Sequence, residues 1–127
     1  MEGTGMLHVL LVGFAIKHFL ADFVLQTAWM VREKGVYGRP GGLVHAGWHA
    51  VLSLILLLAC EVPAGLTLAL VGAEWVIHYH IDYAKESFSR RIRKTPADHG
   101  FWITLGFDQM LHQLTYAAMI VAATGWA

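Results

Sequence analysis

Two stretches of this chain repeat a pattern that has few uses in an apolar sequence: His18-Phe-Leu-Ala-Asp22-Phe and His78-Tyr-His-Ile-Asp82-Tyr. Each is followed by a second pair at the same four-residue step, His45/His49 and then Asp108/His112. On a helix that step puts both side chains on one face, one turn apart. Imidazole and carboxylate are costly in apolar surroundings and are kept there for a reason. Four such pairs, one per helix, are what a metal site at the centre of a helical bundle requires.

The donor set narrows the chemistry. Imidazole with carboxylate suits one or two divalent ions, zinc first and manganese or iron next, whereas calcium prefers oxygen alone. His18, Asp22, His49, His78, Asp82 and His112 are the expected ligands. His45 and Asp108 come next, as ligands or as partners that orient an imidazole. Carboxylate-bridged bundle sites use Glu and a Glu-x-x-His step of three, which this chain lacks, so a redox-inert hydrolytic centre is expected over oxygen chemistry. Asp22, Asp82 or Glu74, which extends the His78 stripe one turn deeper, would handle the proton of the attacking water.

Gln26 and Lys85 continue two of the stripes and are expected to meet a substrate head group, although snorkelling explains Lys85 equally well. The glycine-rich link 33–42 leads into a helix start, where free N–H groups and Arg39 would hold a phosphate. A flexible turn is the competing reading of that link. His8, His80 and His99 fall outside the stripes. The sequence holds no nucleophile elbow, phosphate loop or dinucleotide fingerprint, and the carboxylates argue against bis-histidine haem.

The elements that must position these groups are long helices. The chain is 57% hydrophobic and 14% charged, with a mean hydropathy of +0.53, too apolar for a small soluble domain. Apolar blocks predict one domain, 1–127, with helices over about 6–32, 43–60, 66–93 and 99–124. Turns at Glu61-Val-Pro-Ala-Gly65 and Thr95-Pro-Ala-Asp98 separate the later ones. Each helix is about long enough to cross a hydrocarbon core of ~30 Å. The fold expected is therefore all-α, a four-helix transmembrane bundle. Its two helical hairpins would be related by a pseudo-two-fold axis along the membrane normal.

Charge sets the orientation. Arg32, Lys34 and Arg39 flank the first connection, and Lys85, Arg90, Arg91, Arg93 and Lys94 flank the third; the other side has Glu2 and Glu61 and no Lys or Arg. The positive-inside rule puts both basic connections in the cytoplasm and both termini outside. Glu2 in place of a basic start, and Lys17 and His18 within the first apolar run, argue against a cleaved signal peptide. Segments 7–16, 51–60, 62–73 and 116–127 are almost purely apolar, so the His/Asp pairs gather in the cytoplasmic half. Trp29, Trp102 and Trp126 are expected at the interfaces, and Trp48 and Trp75 packed within the bundle. The single Cys60 excludes an internal disulfide and reads as a buried or lipid-facing hydrophobe. Zero net charge and the absence of a motif exclude nucleic-acid binding.

The four segments together (HFLADFVLQ from His18, GLVHAGWH from Gly42, EWVIHYHIDYAK from Glu74 and DQMLHQ from Asp108) resemble a family of small bacterial and phage integral membrane proteins of unknown function. The resemblance covers most of the chain. It implies a multi-pass protein of the bacterial inner membrane and brings no activity with it. A fainter similarity is to membrane-bound metal-dependent hydrolases, which also place His and Asp on short hydrophobic helices.

The function expected is a metal-dependent membrane hydrolase acting on a lipid-like substrate, with or without a phosphate, in the cytoplasmic leaflet, with membrane lipid as partner and a homo-oligomer compatible. A metal or proton transporter would use the same residues but needs a polar path through the far leaflet. A structural or regulatory protein would use them as interhelical hydrogen-bond glue.

Overall fold

The computed structural model describes residues 3–125 and is all-helical, with no strand among them. Glu2 and Trp126, expected on the outer side, lie outside the described residues. Helix α1 covers Gly3–Phe19 and passes into a π turn, Leu20–Val24; α2 covers Ala28–Lys34, α3 Pro40–Ala59, α4 Ala64–Ile92 and α5 His99–Thr124. Three of the expected helices fall within a few residues of these bounds.

The first does not, and its expected continuity over 6–32 is corrected. In the π turn Leu25 N–H donates to Leu20 O at 2.8 Å, an i→i−5 bond that accommodates one extra residue. Gln26 Nε2 then donates to the Asp22 carbonyl at 2.9 Å. Thr27 takes an extended conformation (φ −99°, ψ 162°) and caps α2 by accepting from Met30 N–H. A Thr N-cap is a legible helix start, but the apolar residues on either side of Gln26-Thr27 predicted one long helix. The break turns α2 back against α3 and α4, so its last residue, Lys34, points inward.

The buried and exposed residues invert the usual arrangement. At one end of the bundle Leu10, Phe14, Leu57, Cys60, Tyr116 and Ile120 form an apolar core. At the other end the interior is polar, with His18, His45, His49, His78, Asp82, Asp108 and His112 all buried. Large apolar side chains such as Val12, Ile16, Ile55, Leu68, Phe107 and Val121 face outward. Trp48 and Trp75 are corrected here: they are 40% and 47% exposed, one residue off the inward stripes of His45/His49 and Glu74/His78. Two helices, Gly3–Val24 and Pro40–Ala59, are long and apolar enough to cross a membrane.

The link before α3 is anchored. Gly38 adopts φ 79°, the left-handed region open to glycine, and its N–H donates to Tyr79 Oη at 2.6 Å. Tyr37 packs against Tyr79 and Tyr83 with ring centroids 5.6 and 5.1 Å away. Arg90 Nη2 donates to the Arg32 carbonyl at 2.7 Å, so the two basic connections meet at one end of the molecule. In the last turn Asp98 accepts from the Thr95 N–H (2.8 Å) and hydroxyl (3.1 Å). Those bonds hold its carboxyl below the usual range.

Candidate metal centre

All four His/Asp pairs meet at the polar end. Asp22, on the π turn, places Oδ1 3.0 Å from His49 Nε2 and 3.2 Å from His45 Nε2. Asp82 Oδ2 lies 3.2 Å from His45 Nε2 and 3.4 Å from His78 Nε2, and its Oδ1 3.3 Å from His112 Nε2. Asp108 Oδ1 is 3.2 Å from the same His112 nitrogen. Two groups have ligand atoms within 4.8 Å of one another: Asp22, His45, His49 and His78, and separately His78, Asp82 and His112. These buried groups can hold a metal ion.

Hydrogen bonding leaves them unsatisfied. Both ring nitrogens of His45 and of His78, and Asp82 Oδ2, are buried and find no hydrogen-bond partner among the described residues. Their close approaches are contacts without hydrogen-bond geometry. A buried polar atom without a partner costs about 1–3 kcal/mol, so several together at one point call for a shared ligand. Charge makes the same demand. Asp22, Glu74, Asp82 and Asp108 carry four negative charges against Lys17 and Lys34, leaving two negative charges with neutral imidazoles. One divalent cation balances them.

His18 has a different place. Its Nδ1 is 2.9 Å from Tyr116 Oη, which is also 3.3 Å from His49 Nδ1. If His49 offers its Nε2 lone pair to a metal, its Nδ1–H must donate to Tyr116, whose hydroxyl then donates to His18 Nδ1. The His18 Nε2–H is left to donate to Gln109 Oε1 (2.8 Å) or Asp22 (3.2 Å). Gln109 in turn donates to Asp108 Oδ2 at 3.2 Å. His18 thus orients ligands and belongs to neither ligand group. Removing the shared hydroxyl with Tyr116→Phe is expected to weaken metal binding about 10–100-fold, the usual cost of losing an orienting partner, at unchanged helicity. Competition against a chromophoric chelator reads this directly, and an unchanged affinity would refute the relay.

Other expected residues fall elsewhere. Glu74 is fully buried and pairs with Lys17, one turn below the imidazoles. Gln26 accepts from Lys34 Nζ at 2.8 Å, and Lys85 is half-buried and pairs with Glu86 at 2.7 Å. Arg39 is exposed at the start of α3. The expected anion site there is filled from within, because Gly41 N–H donates to the Glu33 carboxylate at 2.6 Å. His80 faces outward and meets Tyr37 Oη at 3.0 Å.

Sequence reasoning missed three residues. Lys34, taken as a flanking positive charge, is buried with Nζ 3.4 Å from Asp82 Oδ2. Lys17 is buried and also donates to the His49 carbonyl at 3.2 Å. Tyr116 continues the Asp108/His112 stripe by one more four-residue step, a signal that was available.

Fold and site together define an all-helical protein with an inward-facing imidazole–carboxylate centre that could hold a metal ion. The chain belongs to the DUF3307 family, described as a protein of unknown function, which matches residues 10–126. Comparison with curated proteins and with solved structures gave no significant match.

Proposed function

We propose that this chain is a multi-pass protein of the bacterial inner membrane, crossing it four times with both termini outside, and that its His/carboxylate centre is the site of a metal-dependent hydrolase. Helices α4 and α5 are less apolar than α1 and α3, in part because Glu74, His78, Asp82, Asp108 and His112 are turned inward and in part because α4 carries Lys85, Glu86, Arg90 and Arg91 at its C-terminal end. Their outward faces carry Leu68, Val76, Ile77, Ile103, Phe107 and Leu114, as lipid contact requires.

The observation that carries the reading is the set of buried, unpartnered nitrogens of His45 and His78 aimed at Asp22 and Asp82. A divalent ion there supplies a water of lowered pKa and stabilises negative charge on a phosphoryl oxygen. Lys34 neutralises Asp82 and fixes its orientation; Gln26 holds Lys34 in turn. Zinc fits the donor set first, with manganese and iron as alternatives. Transport is disfavoured because, beyond the Lys17–Glu74 pair, the described interior is a predominantly apolar core of Leu10, Phe14, Leu57 and Ile120. Interhelical glue would leave the unpartnered nitrogens of His45 and His78 unexplained.

Elemental analysis of detergent-purified protein tests this. About one or two ions per chain are expected, in line with two ligand groups, with at least half of the metal lost in His49→Ala and in Asp82→Ala, which each remove a ligand from one group. Metal-free wild type, even after reconstitution with zinc, manganese or iron, would sink the metalloenzyme reading in favour of polar glue.

A further inference from the structure

A long groove runs along the lipid-facing seam of α4 and α5, beside the metal centre. Its upper part encloses about 830 Å³ between Ile81, Phe88, Phe107 and Leu111, and ends at Lys85 and Asp108. Its lower part, about 540 Å³, reaches Leu70 and Met119. Ile77, Ile81 and Leu111 wall both parts, so the two adjoin. From Lys85 to Leu70 the path is about 22 Å at 1.5 Å per residue, more than half of a hydrocarbon core of ~30 Å. Each part has the size of a small-molecule site, about 300–1,000 Å³.

We infer that this groove seats an acyl chain of a lipid carrying a phosphate monoester, with its head group at Lys85 and its ester bond beside Asp108. Three features select that occupant. The walls are predominantly apolar, interrupted between the two ends by His80, Thr104 and Thr115, as an acyl chain tolerates. Glu74 touches the lower part, but its charge is matched by Lys17, so the tail's path carries no net charge. The head end carries Lys85, paired with Glu86, and Arg90, Arg91, Arg93 and Lys94 follow beyond the groove, so residues 85–94 hold five cations against one carboxylate. Asp108 joins groove to centre, since it lines the one and contacts His112 of the other. Lateral access from the bilayer follows, and no water-filled channel is needed for the lipid to arrive. The fate of the head group rests on the hydrolase reading; the seating of the chain does not.

The test is photo-crosslinking in phosphatidylcholine nanodiscs doped with phosphatidic acid that bears a diazirine on one acyl chain. Adducts are mapped by mass spectrometry, with metal content measured on the same samples. Labelling is expected to concentrate on the α4 and α5 peptides carrying Ile81 and Leu111, above the exposed α3 positions Val51 and Ile55. Ala84→Trp, from one wall, or Thr104→Phe, from the other, should lower it to the α3 level while metal content stays at the wild-type value, which also certifies folding. Lys85→Gln should weaken competition by unlabelled phosphatidic acid about tenfold, as expected for one charge-assisted contact, and leave competition by diacylglycerol unchanged. Labelling spread evenly over all lipid-facing helices, or insensitive to both wall variants, would overturn the groove. Concentrated labelling on a protein that binds no metal would uphold the groove and refute only the hydrolase.

Discussion

His78→Ala is expected to strip the protein of all stoichiometric metal, whereas His18→Ala keeps it. The two residues occupy matching places in the repeated pattern, and sequence alone ranks them equally. Their surroundings differ. His78 is the one imidazole shared by both ligand groups. Its ring lies between those of His49 and His112, at centroid distances of 3.8 and 4.1 Å, and both its nitrogens are buried without a hydrogen-bond partner. An imidazole has two nitrogens and can serve two ions. His18 has both nitrogens committed, to Tyr116 and to Gln109 or Asp22. Its loss should cost about 10–100-fold in affinity, leaving metal bound at micromolar protein. Loss of a ligand saturated a thousandfold above its dissociation constant also removes about 4 kcal/mol of stability, so His78→Ala should unfold at the temperature of chelator-treated wild type. If two ions share His78, His45→Ala and His112→Ala should each remove about half the metal, since each touches one group alone. Equal metal loss in His18→Ala and His78→Ala would refute this division of roles.

The contrast between His18 and His78 also marks how far the sequence could be read. Four-residue spacing located every one of the eight expected ligands on the inward face, because a helix makes that geometry local. The bounds of α3, α4 and α5 followed from apolar blocks and from Pro63, Gly65 and Pro96 for the same reason. What stayed hidden depends on contacts between helices. The π turn at Leu20–Val24 gives the first half of the chain a break that the second half lacks, so equal spacing does not give equal roles. The direction of a lysine is likewise not local. Near a membrane boundary the expectation is that its amine reaches for water, yet Lys34 turns to Asp82 because α2 folds back. Trp48 and Trp75 lie deeper along their helices than the interfacial tryptophans and are expected inside on that ground, but in a bundle with a polar interior the large apolar rings face out, and Trp75 donates its Nε1–H to the Leu43 carbonyl at 3.1 Å.

Lys17 is the second cation that sequence misplaced, and its removal is expected to have the largest effect on stability. Its amine lies in the interior between the apolar core and the imidazoles, pairing with Glu74 and donating to the His49 carbonyl. It also stands 4.4 Å from the centre of the Tyr116 ring. The side chains of Lys17 and Glu74 are 4% and 0% exposed, so neither charge has water to fall back on. Breaking such a pair from one side leaves an uncompensated buried charge and costs about 3–5 kcal/mol, whereas replacing both partners by uncharged groups of similar volume is often close to neutral. Lys17→Met alone and Glu74→Gln alone should therefore each be strongly destabilised in detergent unfolding, and the double variant should recover most of the loss. The metal adds a discriminating readout. Lys17 holds the backbone of His49 but supplies no ligand, so the double variant should still bind metal, with affinity reduced by no more than about 100-fold. If Glu74 instead takes the proton of the attacking water, the double variant would be folded, metal-loaded and inactive. A double variant that stays as unstable as either single one would mean that the two side chains act independently, against the pairing seen in the fold.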